Sequence, residues 1–277
     1  MHVQLTQTST NTVLLHWKFD PILVAIGPLS IRWYGVLFVA AFLFGQAALS
    51  RIFRAEGAPQ ENAGKLLLYS LVGTIAGARL AHCLFYDPNY YLSHPLAILR
   101  IWEGGLASHG GAVGMLVGLW LGSRTIRPQL PFLWLVDRVA IPAAFGAVFV
   151  RVANFLNSEI VGVPTSGGWG VVFESVDQLP RHPAQLYEAV AYLIIGFALL
   201  TIYRPLGKRA PQGLLFGWFM VLVFSVRIAV EFFKVPQAAY ESGQILSVGQ
   251  YLSLPFVALG AAMIARCQRE AVSSQSA

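Results

Sequence analysis

Hydrophobic positions in this chain come in long blocks broken by short polar connections. Runs of about 20 apolar residues, the length a helix needs to cross a ~30 Å hydrocarbon core, occur seven times, at 29–53, 63–86, 106–126, 131–157, 184–204, 212–233 and 245–266. Turn-forming stretches such as Asp87-Pro88-Asn89 and Thr165-Ser166-Gly167-Gly168 separate them. The pattern predicts an all-α integral membrane protein, a single transmembrane domain over 1–277 with seven helices. An N-terminal arm, 1–28, precedes the spans and a short tail, 267–277, follows them.

Orientation is read from the basic residues, because short cytoplasmic loops retain Lys and Arg. Ten lie on one side: Arg51, Arg54, Lys65, Arg124, Arg127, Arg204, Lys208, Arg209, Arg266 and Arg269. Four lie on the other: Lys18, Arg100, Arg181 and Lys234. The N-terminus is therefore expected outside and the C-terminus in the cytoplasm. Met1 to Asp20 lack the basic start and apolar stretch of a signal peptide and are expected to remain in the mature chain.

Composition agrees with a lipid solvent: 56% of the 277 residues are hydrophobic and 12% charged, against roughly 25% charged in an average soluble domain. The net charge of +6 is accounted for by topology, and no basic run with interleaved aromatics points to nucleic acid. Cys83 and Cys267 fall on opposite sides of the expected topology, which excludes a disulfide, and read as apolar fillers. No ligand cluster for a metal appears.

The remaining basic residues, Arg32, Arg79, Arg138, Arg151 and Arg227, lie inside the expected spans with Asp137, Glu188 and Glu231. Ionisable groups near a bilayer centre cost at least ~2.5 kcal/mol each and normally face a polar interior. Asp137 and Arg138, near the cytoplasmic start of the fourth span, read as structural residues that snorkel or pair. Arg151 and Arg227 each lie six residues before the outer end of a span, about 9 Å below the surface. Tyr34, Arg79, His109 and Glu188 also fall in outer halves, so one leaflet collects the polar groups.

Four segments carry candidate chemistry. Glycines surround His109 in Gly104-Gly105-Leu106-Ala107-Ser108-His109-Gly110-Gly111. Arg151 and Asn154 share a helical face, followed by Asn157, Glu159 and Gly162. A guanidinium there suits the oxygens of a phosphate headgroup, although an Arg151–Glu159 ion pair fits the same spacing. Arg227 and Glu231 are four apart and placed to pair. Pro183 opens a helix that carries Gln185 and Glu188 on one face, and His182 lies in a wet loop.

Taken in order, these segments resemble the bacterial prolipoprotein diacylglyceryl transferases. The resemblance rests on Phe19-Asp20-Pro21, Gly27-Pro28, Trp33-Tyr34-Gly35, Glu103-Gly104-Gly105, Ser108-His109-Gly110-Gly111, Arg151 with Asn154-Phe155 and Asn157, Arg181-His182-Pro183 with Gln185-Leu186-Tyr187-Glu188, Arg227 with Glu231, and Ser247-Val248-Gly249-Gln250. It implies a multi-pass enzyme of the bacterial inner membrane with its active site toward the periplasm. Such an enzyme moves the diacylglyceryl group of phosphatidylglycerol onto the lipobox cysteine of a preprolipoprotein signal peptide, releasing glycerol 1-phosphate, and needs no cofactor. The resemblance makes Arg151, Arg227 and His109 catalytic, and assigns the headgroup to Arg151, Arg227, Tyr34, Asn154, Glu159, Gly162 and Glu231. Val150, Ala153 and Val223 depart from the pattern, where the family has glycine, glycine and often tyrosine.

The chemistry needs cations for the departing phosphate and a base for a thiol whose pKa is ordinarily ~8.5. His109 suits the base by its intrinsic pKa, with Glu231 and Glu159 as alternatives. A transporter using intramembrane Arg, Glu and His is the competing reading. It would want a midplane site.

Overall fold

The computed structural model describes residues 2–7, 13–27, 29–101, 104–235 and 246–273. Pro28 and Glu103 of the motifs, and Ile245 at the expected start of the last span, lie outside the described residues. The chain is mostly helical. Six helices are long and apolar enough to cross a membrane: α1 (Trp33–Glu56), α2 (Glu61–Phe85), α5 (Phe132–Leu156), α6 (Ala184–Leu206), α7 (Leu214–Glu231) and α8 (Val248–Ser273). A shorter α3 spans Pro88–Ser93. The third expected span is occupied by α4 (Ser108–Thr125), whose glycines and polar ends keep it out of that apolar group.

The first span starts later than the hydrophobic pattern predicts. Leu29–Arg32 form a strand, β4, paired antiparallel with β3 (Ile22–Ile26), and Gly27 turns the chain at a φ of +58°. Arg32 therefore ends a strand and does not sit within a span. An apolar stretch reads alike as strand or helix until its length decides. The last helix runs to Ser273, past the expected end at 266. Its start is set by a reciprocal capping box: Gln250 N donates to Ser247 Oγ at 3.2 Å and Ser247 N to Gln250 Oε1 at 2.9 Å.

The chain divides into two compact units, Gly45–Val139 and Met1–Phe44 with Ala140–Ala277, with boundaries inside α1 and α5. In the first of these, α2 and α4 meet backbone to backbone. A Cβ on Gly114 would sit 2.0 Å from the carbonyl oxygen of Gly73, and one on Gly77 would sit 2.3 Å from that of Gly110. Close approach of small residues is how helices associate where lipid removes the hydrophobic drive. Arg138, fully buried, has Nε and Nη2 on the Glu56 carboxylate at 3.0 Å, Asp137 at 3.7 Å and Trp134 beneath it. The structural reading of Asp137 and Arg138 holds, with Glu56 as the partner that the sequence did not point to.

In the other unit, β1 (His2–Gln7), β2 (Val13–Lys18), β5 (Val171–Phe173) and β6 (Pro180–Arg181) form one sheet in that order. The seven-span pattern held no sign of it. Trp17, Phe155, Val171 and Phe173 make its core, so the sheet seats on the end of α5. That end carries the Arg151 motif.

Candidate active site

Helix α5 ends in a Schellman-type turn, in which the N–H two residues past the helix reaches back to close the last carbonyls. Glu159 N donates to Asn154 O at 2.9 Å and Ser158 N to Phe155 O at 3.0 Å. Ser158 and Ile160 take φ values of 54° and 55°. Left-handed backbone at a β-branched residue is a strained state that surrounding contacts must hold. Those contacts are present: Gln185, fully buried, donates from Nε2 to Glu159 O at 2.5 Å.

The turn folds Glu159 back over the helix it follows. Its carboxylate accepts from Asn154 Nδ2 at 3.2 Å and Asn157 Nδ2 at 3.0 Å. Asn154 in turn accepts at Oδ1 from Arg151 Nη1 at 3.2 Å. The expected shared face of Arg151 and Asn154 is thus a hydrogen bond. Asn154, placed between Arg151 and Glu159, stands where the alternative had a direct ion pair. Tyr34, in the first turn of α1, lies within electrostatic reach of both Arg151 and Glu159.

The carboxylate that meets Arg151 is Glu188 of α6, fully buried, with Oε2 3.1 Å from Nε. The contact is an ion pair off the hydrogen-bonding line, since Oε2 takes no hydrogen bond among the described residues. Oε1 accepts from Lys234 Nζ at 3.1 Å and from Tyr192 OH at 3.2 Å. Lys234 also stands 3.5 Å from Glu231. Arg227 is half-buried and makes no ion pair among the described residues, so the expected Arg227–Glu231 pair is replaced by Lys234–Glu231. Tyr192 lies within electrostatic reach of both Arg151 and Arg227. Gly249 in the first turn of α8 lets Glu231 in close, because a Cβ there would lie 2.9 Å from its Oε1.

Lys234 and Tyr192 are members that the sequence reading missed. The basic-residue pattern places Lys234 in an outer connection, and there it is only 8% exposed. Backbone pairing buries it: Gly162 bridges Lys234, Gly162 N donates to His182 O and Val163 N donates to Phe233 O, both at 2.9 Å. Gly162 is where three backbones converge, and a Cβ there would meet His182 O at 2.5 Å and Phe233 O at 2.6 Å. The i,i+3 spacing from Glu231 and the i,i+4 spacing of Tyr192 from Glu188 were the available signals. His182 is half-buried, with Nδ1 3.0 Å from Tyr187 OH and its ring against Phe233.

Arg181 braces this junction from outside the helices. Its Nη1 donates to Gly162 O at 3.0 Å and its other nitrogens grip the Asp177 carboxylate. That grip holds the Asp177 carboxyl below its ordinary range. A carboxylate with a depressed folded-state pKa stabilises the fold above its unfolded value of ~3.9, and the contribution is lost as pH falls through the lowered folded value. Asp177→Asn is therefore expected to loosen the 174–183 loop at neutral pH but not in acid below that window. Hydrogen exchange of the loop in both proteins across pH reads this directly; equal protection at neutral pH would contradict it.

His109 is the second residue of α4, in the 45–139 unit, and is exposed. The segment leading to it is built on Arg79 of α2. Arg79 is 3% exposed and donates to the carbonyls of Ala97 (2.7 Å), Ile98 (2.9 Å), Gly104 (2.5 Å) and Gly105 (3.3 Å). Gly104 and Gly105 have φ of +89° and +73°, conformations natural to glycine. Arg79 is thus a structural brace. Among the described residues no three His, Cys, Asp or Glu side chains gather as a metal-ligand set.

The family model for prolipoprotein diacylglyceryl transferase matches residues 21–266. The chain is 53% identical over 257 residues to the phosphatidylglycerol–prolipoprotein diacylglyceryl transferase of Tolumonas auensis, covering 93% of this chain and 99% of that one. It is 44% identical over 259 residues to the protein of that name in Chloroherpeton thalassium, with 93% and 96% covered. For the Bacteroides fragilis protein the figures are 39% over 264 residues, with 90% and 95% covered.

Proposed function

We propose how this chain, which belongs to the prolipoprotein diacylglyceryl transferase family, holds its lipid and drives the transfer. The chain moves a diacylglyceryl group from phosphatidylglycerol to a prolipoprotein. The transporter reading gives way to that membership. In our reading the acceptor is the lipobox cysteine thiol of the signal peptide. Its sulfur forms a bond to the terminal glycerol carbon of the diacylglyceryl unit as the carbon–oxygen bond to phosphate breaks. The electron pair leaves on oxygen as glycerol 1-phosphate, and the thiol proton passes to a base.

Arg151 and Arg227 take the phosphate oxygens. The observation that carries this is Arg227, a half-buried guanidinium on an apolar helix with no ion pair among the described residues, lying like Arg151 within electrostatic reach of Tyr192. A cation kept in that state is ready for an anion, and donors aimed at developing charge often supply the largest catalytic term. Tyr34, Asn154, Glu159, Gly162 and Glu231 form the rest of the headgroup site. Glu231 lies between Lys234 and the N-terminal turn of α8, with its carboxylate engaged by the lysine ammonium at 3.5 Å. His109 is the base in this account.

The chain crosses the bacterial inner membrane seven times, with the N-terminus and the site on the periplasmic side. Two things support this: the ten-to-four split of basic residues, and the backbone contact of α4 with α2, which carries an 18-residue helix about 27 Å long alongside a spanning one. Purified protein given phosphatidylglycerol and a lipobox peptide is expected to yield lipidated peptide and glycerol 1-phosphate in equal amounts. Lipid binding without either product would overturn the catalytic reading.

A further inference from the structure

We infer that Lys234 is a positioning residue for the headgroup site, acting through Glu188 to keep the Arg151 guanidinium open toward phosphate; this rests on the reading of Arg151 as a phosphate ligand. A carboxylate facing a guanidinium in a buried place ordinarily takes it two-pronged, both oxygens on two nitrogens. Glu188 does not. Oε2 meets Arg151 at Nε, 3.1 Å away and without a hydrogen bond, while Oε1 is engaged by Lys234 Nζ at 3.1 Å and Tyr192 OH at 3.2 Å.

The reason lies in the count of charges and donors. An arginine presents five N–H donors in a fixed fork. If Glu188 closed on that fork, it would occupy the positions that bidentate phosphate needs and would oppose the incoming anion with its own charge. Lys234 prevents this by claiming the other oxygen. The side chains of Glu188 and Lys234 are 0% and 6% exposed, so water does not relieve the carboxylate when the lysine is absent. Removing one member of a buried pair leaves the other as an uncompensated charge. Here that charge would turn to the nearest cation, Arg151.

Lys234 is also held independently of Glu188. The Gly162–Lys234 bridge and the Val163–Phe233 hydrogen bond fix its backbone. Its Nζ reaches Glu231 as well, at 3.5 Å, so one ammonium restrains both carboxylates that flank the two arginines.

The test is steady-state transfer in nanodiscs of varied phosphatidylglycerol content, with Lys234→Met, Lys234→Arg, Glu188→Gln, Arg151→Lys and the double variant Lys234→Met/Glu188→Gln. Lys234→Met is expected to raise KM for the lipid about tenfold or more, with a smaller change in kcat. Lys234→Arg, which keeps the charge, is expected to stay within about threefold of the parent. The distinguishing result is the double variant: neutralising Glu188 recovers part of the KM lost with Lys234, because the carboxylate that closes the fork is gone. A lysine that served only to hold the fold would make the double variant worse than either single one, and that outcome overturns the inference, as does an unchanged KM in Lys234→Met. If Lys234→Met does not fold, the double variant and Lys234→Arg decide by the same KM. Arg151→Lys separates the two levels. Near-parent activity there sinks the phosphate reading itself, whereas lost activity there with unchanged KM in the Lys234 variants sinks only the role of Lys234.

Discussion

Arg151→Lys is expected to lower kcat for diacylglyceryl transfer by about 100- to 1000-fold, the range seen when a donor aimed at developing negative charge is removed. The substitution keeps the charge, so the loss reports geometry. Arg151 meets Glu188 through Nε and Asn154 through Nη1, 3.1 and 3.2 Å away. A lysine ammonium is a single point on a flexible stem and does not span both partners while presenting two donors to one phosphate. Arg227→Lys is expected to fall in the same direction, because its guanidinium has no ion-pair partner to anchor a substitute among the described residues. Rates with phosphatidylglycerol at saturation check both, and activity above a tenth of the parent would remove the fork from the account.

Gly162→Ala is expected to be nearly as damaging, although it adds one methyl group and no charge. That methyl would stand 2.5 Å from His182 O and 2.6 Å from Phe233 O. Both neighbours are backbone, fixed by their own hydrogen bonds to Gly162 and Val163, so room is made only by parting the strands. Parting them moves Lys234 on one side and the loop holding Glu159 on the other. Displacements near 1 Å at a positioning element cost about 100-fold in rate. The expected outcome is a protein that inserts in the membrane with transfer down by about that factor. Parent-like activity would show that the junction yields without consequence.

The apolar blocks made the helices legible because lipid imposes one length on every span and one solution on the backbone, the internally bonded helix. The expected boundaries at 63–86, 131–157, 184–204 and 212–233 lie within a few residues of α2, α5, α6 and α7. What was illegible is what hydropathy does not encode. Leu29–Arg32 are as apolar as a helix start, and only pairing with Ile22–Ile26 makes them a strand. The four-stranded sheet joins segments more than 150 residues apart through β2 and β5, which no local period reports.

The site divided in the same way. Arg151 with Asn154, and Gln185 with Glu188, were readable because helical spacing places them on one face. Partner choice was not. Glu159 and Glu231 offered carboxylates close along the chain to Arg151 and Arg227 and Glu188 did not, and the Schellman turn after α5 and the Gly162 junction set the partners instead. Lys234 looked like a loop cation because its burial arises from backbone pairing to residues some 70 positions earlier.

Arg151 and Arg227 are proposed to hold the lipid phosphate together. A structure of the protein with phosphatidylglycerol bound tests this most directly. Phosphate oxygens are expected within hydrogen-bonding distance, about 2.7–3.2 Å, of both guanidinium groups, with Glu188 still turned to Lys234. A phosphate resting elsewhere, touching neither arginine, would contradict it.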